Sequence, residues 1–191
     1  WPTVRLYFKP KRMTGDPKRD LVAPVEGKVV AWDAALDLAL IQIEPPEGRV
    51  PLALGDPEAV EVGERVAAIG HPEQGGLWTL TTGVISTLTA DLGGVKGKDA
   101  FQTDTSINRG NSGGPLLDGA GRIVGVNTSM SRKASDGLAI TAVNFAVRSD
   151  VAKRWLASRA GVAVGYGRGG PLPAPAASVP AARAVPASLA A

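Results

Sequence analysis

An all-β fold of antiparallel strands, a sandwich or a barrel, is what this 191-residue sequence predicts. Two observations carry the prediction. Short β-rich runs follow one another closely, separated by turn clusters: EPPEG at 44–48, GDPE at 55–58, PEQGG at 72–76, LGG at 92–94 and DGAG at 118–121. Strands and helices do not alternate, which argues against a parallel nucleotide-binding α/β sheet.

The elements follow in order. Thr3 to Phe8 alternates and is β-rich, so it reads as a strand. Lys9 to Arg19 is basic and interrupted by Pro10, Gly15 and Pro17, and reads as a long solvated surface loop. Further strands are predicted at Val25–Trp32, Leu38–Ile43, Arg65–Gly70, Trp78–Leu88, Ala100–Thr103, Ile123–Asn127 and Ala139–Val147. One helix is predicted after them. Ser149 is its N-cap, Asp150 suits its first turn, Val151, Trp155 and Leu156 share a face, and Gly161 can end it. Residues 1–164 therefore make one domain. Residues 165–191, rich in Pro, Ala and Gly, have too few large apolar side chains for a core and read as a disordered tail or linker.

Composition sets limits on function. Hydrophobic residues make up 44 %, enough for a core, and with aromatics at 5 % that core is mostly aliphatic. A net charge of +3 is weak support for a nucleic-acid partner. The absence of cysteine excludes disulfides and thiolate metal sites. A lone histidine without carboxylate spacing is no metal-ligand set, and no cofactor is implied. No apolar run approaches the ~18 residues of a membrane span. Trp1 rather than Met stands first, which predicts a fragment or a processed product with any targeting signal upstream.

The chemistry concentrates in Gly110-Asn111-Ser112-Gly113-Gly114-Pro115. Glycines here mark a sharp bend or a close backbone approach. A phosphate cradle would carry a lysine and open a helix, but Pro115-Leu116-Leu117 follows. A nucleophile elbow would also lead into a helix. A serine nucleophile fits the pattern: it needs a base, and the developing oxyanion needs backbone N–H donors, which Gly110 and Ser112 are spaced to give. The second candidate is Asp37, an acid directly before the apolar run LALIQI. It is either a solvent-facing turn carboxylate or an acid that orients a histidine.

Taken with their neighbours these motifs resemble a known family. DLALIQI at 37–43, PLALGD at 51–56, VGERVAAIGHP at 62–72, TTGVIS at 81–86, FQTDTSINRGNSGGPLLDGAGRIVGVNT at 101–128 and NFAVRSDV at 144–151 occur in the order seen in HtrA/DegP-type proteases, a branch of the chymotrypsin-like serine proteases. The resemblance implies two antiparallel β-barrels, the first incomplete here, and peptide hydrolysis through an acyl-enzyme. It implies Ser112 as nucleophile, Asp37 as orienting acid, and Gly110 and Ser112 as the oxyanion hole. It further implies Ser106 and Ile107 near the base of the side-chain pocket, and Asn127, Thr128 and Ser129 as the strand edge that pairs with substrate. With no carboxylate at 106 or 107, small or medium apolar side chains are the expected specificity. Asp104 reads instead as a structural acceptor for loop amides. The expected partners are polypeptides, with homotrimer assembly and a periplasmic or secreted location by resemblance only.

One departure matters. The family's histidine precedes its aspartate, whereas the chain's single histidine, His71, follows Asp37. The order Asp37, His71, Ser112 is that of subtilisin-like enzymes, but their α/β architecture needs helices this sequence lacks. His71 therefore reads as a surface-loop residue and the catalytic histidine as lying upstream. The chain alone is expected to be nearly inactive, or to belong to a pseudo-protease that only binds peptides.

Overall fold

The computed structural model describes residues 2–73, 75–128 and 143–159. The tail at 165–191, Ser129, Gly161 and the first part of the strand expected from Ala139 lie outside the described residues.

The fold is all-β, as expected, with one closed barrel beside a partial sheet. Strands β1 (Thr3–Leu6), β2 (Val25–Asp33) and β3 (Leu38–Ile43) form an antiparallel three-stranded sheet in chain order. Strands β4 (Arg65–Gly70), β5 (Thr79–Thr89), β6 (Ala100–Thr103), β7 (Pro115–Leu117), β8 (Ile123–Thr128) and β9 (Asn144–Arg148) close a barrel in the order β4-β5-β6-β9-β8-β7, and β7 pairs back onto β4. Its core is aliphatic around one aromatic ring: Val66, Ala68, Ile85, Phe101, Ile107, Leu116, Val124 and Ala146, all buried. Alternation puts Val66, Ala68 and Gly70 of β4 inside, as a small closed barrel requires. β5 pairs β4 through its first half and β6 through its second, with a register shift between Ile85 and Thr87 where the strand turns the corner.

Helix α2 (Ser149–Ala157) joins the two sheets. Its Trp155 and Ala152 pack with Ala31 and Leu38 of the first sheet, and Val126 of β8 packs against the same cluster. The i, i+3/i+4 spacing of Val151, Ala152 and Trp155 makes this face, so one helix buries apolar surface from both sides.

Three local readings need correction. The segment 9–19 leads into a four-residue helix, α1 (Pro17–Asp20), because Asp16 caps it by accepting from the Lys18 amide at 3.0 Å and Pro17 presets its first turn. Ser149 is not the N-cap of α2. Arg148 holds that position in extended geometry, and the Ser149 hydroxyl is buried and donates to the Gly55 carbonyl at 3.2 Å. The helix ends at Ala157, before Gly161. Strand β7 has only three residues, too few for a periodicity signal. No described helix is long and apolar enough to cross a membrane, which says nothing of β-barrel insertion.

An ionic cluster fastens α2 to the barrel. Arg148 is nearly buried, lies over the Phe101 ring at 5.7 Å and bonds Glu58 and Asp150. Burial pushes the Asp150 carboxyl up, but the guanidiniums of Arg154 and Arg148 outweigh it and hold it below its ordinary 3.8. A carboxyl lowered on folding contributes stability above its unfolded value and loses it as pH falls through the folded one. Acid titration should therefore destabilise the fold below about pH 4, and Asp150→Asn should flatten that acid limb in urea-melt midpoints taken across pH.

Candidate active site

The turn around Ser112 is fixed by its own backbone. The Asn111 amide donates to the Asn108 carbonyl and the Gly114 amide to the Asn111 carbonyl, both at 3.0 Å. The Gly113 amide donates to the Asn127 carbonyl, and the Asn127 amide returns to Gly114, both at 2.8 Å. Two glycines are obligatory here. Gly110 has φ +94°, and a Cβ on it would stand 1.8 Å from the His71 carbonyl oxygen; a Cβ on Gly114 would stand 2.5 Å from the Ile69 carbonyl oxygen. The result is a tight bend laid against the end of β4, with Ser112 exposed at its rim.

The same hydrogen bonds aim two amides. The chain has no cis peptide bond among its described residues, so each N–H points opposite to the carbonyl of its own peptide unit. The carbonyl of Arg109 accepts from the Glu73 amide at 3.1 Å, which turns the Gly110 N–H away from the 71–73 loop. The carbonyl of Asn111 accepts from the Gly114 amide, which turns the Ser112 N–H away from the interior of the bend. Among the described residues no acceptor takes either N–H. Two oriented, unspent donors flanking an exposed hydroxyl can stabilise negative charge on an attacked carbonyl oxygen.

Asp37 reaches this turn through a single side chain. It closes the β2–β3 hairpin with φ +60°, a left-handed conformation that aspartate tolerates, and Asp33 caps the same turn by accepting from the amides of Ala35 and Leu36, both at 3.0 Å. The next residue, Leu38, is anchored in the buried cluster that holds Trp155. From there the Asp37 carboxylate accepts from the Thr128 hydroxyl at 2.6 Å. Thr128 directly follows Asn127, which holds Gly113 and Gly114. The Asp37 carboxylate and the backbone of the serine turn are thus both tied to the end of β8.

The remaining sequence candidates divide into surface and scaffold. Ser106 is exposed; its carbonyl accepts from the Thr81 hydroxyl at 2.9 Å and from Asn111 Nδ2 at 3.2 Å, and its hydroxyl from Asn108 Nδ2 at 3.1 Å. The Ile107 side chain is fully buried in the barrel core. The Asn127 side chain is buried as well and donates to the Pro115 carbonyl at 3.1 Å. Asp104 is a structural acceptor, but the amide it takes, that of Val84 at 2.7 Å, belongs to strand β5 and not to a loop. A cleft of about 490 Å³ beside Gly110 is lined by Pro72, Glu73, Gly75, Asn108 and Arg109. Among the described residues no cluster of His, Cys, Asp and Glu could hold a metal ion. No hydrogen bond among the described residues joins the Ser112 hydroxyl to Asp37 or His71. The imidazole instead accepts from the Trp78 amide at 3.2 Å.

Sequence reasoning had missed Thr128 as the partner of Asp37, the 71–73 loop as the brace of Gly110, and Asn111 as a tie to Ser106. Only the polar Asn-Thr ending an otherwise apolar β8 hinted at any of these.

A fold of this kind with a serine turn at the barrel rim is that of a chymotrypsin-like serine peptidase, and comparison with known proteins agrees. The family described as trypsin-like peptidase domain matches residues 17–126, more than half of the chain. The chain belongs to this family, and within it to the HtrA type. It is 44 % identical over 134 residues to Protease Do-like 5, chloroplastic, of Arabidopsis thaliana, covering 68 % of this chain and 41 % of that protein. It is 36 % identical over 132 residues to a probable periplasmic serine endoprotease DegP-like of Brucella suis, covering 68 % and 25 %. Among solved structures, the HtrA-type protease AlgW with a decapeptide superimposes with a TM-score of 0.62 at 30 % identity, covering 73 % of this chain and 42 % of that one. The chain spans less than half the length of these relatives.

Proposed function

We propose that this chain is the catalytic portion of a serine endopeptidase that hydrolyses unfolded or damaged polypeptides through an acyl-enzyme, in protein quality control. Residues 1–164 are its peptidase domain and 165–191 a tail. The observation that carries the reading is the pair of N–H groups of Gly110 and Ser112, which no acceptor among the described residues takes, aimed from a braced turn beside an exposed serine hydroxyl.

In this reading Ser112 attacks the scissile carbonyl while its proton passes to a histidine base. The tetrahedral oxyanion takes the Gly110 and Ser112 amides. Asp37, itself held by Thr128, orients the base and stabilises its charged form. In this reading the base is a histidine outside these 191 residues; the order of the chain, with His71 after Asp37, and the bond from the Trp78 amide to the His71 imidazole support it. Asn127 is bound through its amide and its carbonyl to Gly114 and Gly113, so of the expected substrate edge Thr128 is the described residue left to meet the substrate backbone. Ser106 borders the side-chain pocket, and Ile107 acts on it only from behind the wall. Small or medium apolar residues are the preferred side chains. The named relatives include periplasmic and chloroplastic proteins, and for this chain a periplasmic or secreted, trimeric enzyme is proposed.

The 191-residue chain is expected to turn over a fluorogenic peptide or an unfolded protein very poorly, and the complete gene product to do so well, with Ser112→Ala abolishing its activity. Robust turnover by the 191-residue chain would defeat this assignment of the base. The second reading is a peptide-binding module without catalysis. A complete gene product that binds peptide and cleaves none would select it.

A further inference from the structure

The loop that braces Gly110 is itself closed by a titratable side chain. His71 and Glu73 hold the oxyanion turn with their backbone amides, at 3.0 Å to the Gly110 carbonyl and 3.1 Å to the Arg109 carbonyl. The loop then runs out and returns to β5 at Trp78. There the His71 imidazole closes it: Nδ1 accepts from the Trp78 amide at 3.2 Å, and the two rings meet edge-on with centroids 5.1 Å apart. Trp78 has φ +52°, a left-handed conformation that a bulky side chain keeps only when its surroundings hold it. The bond has a strict protonation requirement. A neutral imidazole with its proton on Nε2 can accept at Nδ1, whereas an imidazolium has two donors and no acceptor.

We propose, building on the oxyanion-hole reading above, that His71 is a positioning residue for that hole: its neutral imidazole holds Trp78 and thereby the loop that aims the Gly110 N–H, and its protonation releases both. Protonation sets an N–H against the Trp78 N–H, and the strained Trp78 backbone relaxes. The 71–78 loop loses its closing bond, and the Glu73 amide no longer fixes the Arg109–Gly110 peptide plane. Among the described residues the charged groups of this loop and of the turn it braces are Glu73 and Arg109, both exposed and paired with each other at 3.8 Å. Among the described residues no carboxylate forms an ion pair with the imidazole, and the Glu73 carboxylate is shared with Arg109.

The test is a pH titration of the ¹⁵N-labelled 191-residue chain followed by NMR from pH 8 to 5. The amide signals of Trp78, Glu73 and Gly110 should move together with one midpoint. In His71→Asn, whose Oδ1 can accept where Nδ1 did but does not titrate, all three should stay at their high-pH positions throughout. In His71→Ala they should sit at the low-pH positions at every pH. Should that variant fail to fold, the asparagine variant still decides. A Gly110 signal that stays still while Trp78 titrates, or one that still titrates in His71→Asn, would overturn the proposal. The readout needs no catalysis, so failure of Ser112 as nucleophile and failure of this coupling are separate results.

Discussion

Gly110→Ala is expected to remove most of the catalytic activity of the complete gene product while leaving the barrel folded. Two effects act together. A non-glycine residue at φ +94° carries strain of about 1–2 kcal/mol. The new methyl would also stand 1.8 Å from a backbone oxygen, so the His71 loop or the turn has to move. Either movement breaks the Glu73 to Arg109 hydrogen bond that turns the Gly110 N–H outward. Loss of one oxyanion donor costs on the order of 10²–10³ in rate. That loss in kcat, with an unchanged far-UV circular dichroism spectrum, is the expected result. Gly113→Ala is the informative comparison: it also has positive φ, +81°, but a Cβ there meets nothing within 4 Å. It should show strain without a displaced donor. Equal effects from the two substitutions would mean that the loop contact at Gly110 does not matter.

Trp155→Ala is expected to produce the largest loss of stability that also disables the site. The indole is 6 % exposed and fills the seam between the three-stranded sheet and the barrel, against Ala31, Leu38 and Ala152. Truncating a buried tryptophan costs about 3–5 kcal/mol, and little of that is recovered where two sheets cannot collapse together. The seam also sets Asp37 opposite Thr128, because Leu38, the neighbour of the carboxylate, belongs to the same buried cluster as Trp155. Urea denaturation should show the loss of stability, and turnover should fall more than the folded fraction does. Val50→Ala, at a position 73 % exposed, should change stability by no more than about 0.5 kcal/mol.

Particular residues show what local sequence carries. The strands Leu38–Ile43, Arg65–Gly70 and Ala100–Thr103 stand where alternation and β-branched content put them. Glycine and proline turns mark where the others stop to within a few residues. Strand β7 escaped because three residues between a glycine bend and a turn leave no period to read. The N-cap of α2 was misread because Ser149 has the right chemistry, yet tertiary contact gives its hydroxyl a buried partner in Gly55. In the site, Ser112 and Asp37 were legible because their immediate neighbours are unusual: glycines that are poor in any strand, and an acid against an apolar run. Their connection was not legible. The Asp37–Thr128 bond joins residues 91 positions apart, and the Glu73–Arg109 and His71–Gly110 bonds join two loops whose meeting depends on barrel closure. No local pattern encodes the two loop bonds, since each requires only an amide and a carbonyl, which every residue but proline can supply, and the hydroxyl–carboxylate pair of Thr128 and Asp37 has no neighbouring residues that announce it.

The most direct measurement is covalent labelling of the complete gene product with a fluorophosphonate, followed by peptide mapping. The account predicts one modified residue, Ser112, with labelling slowed about as much as turnover by Gly110→Ala. A native, folded product in which Ser112 stays unmodified, or in which another serine carries the label, would contradict it.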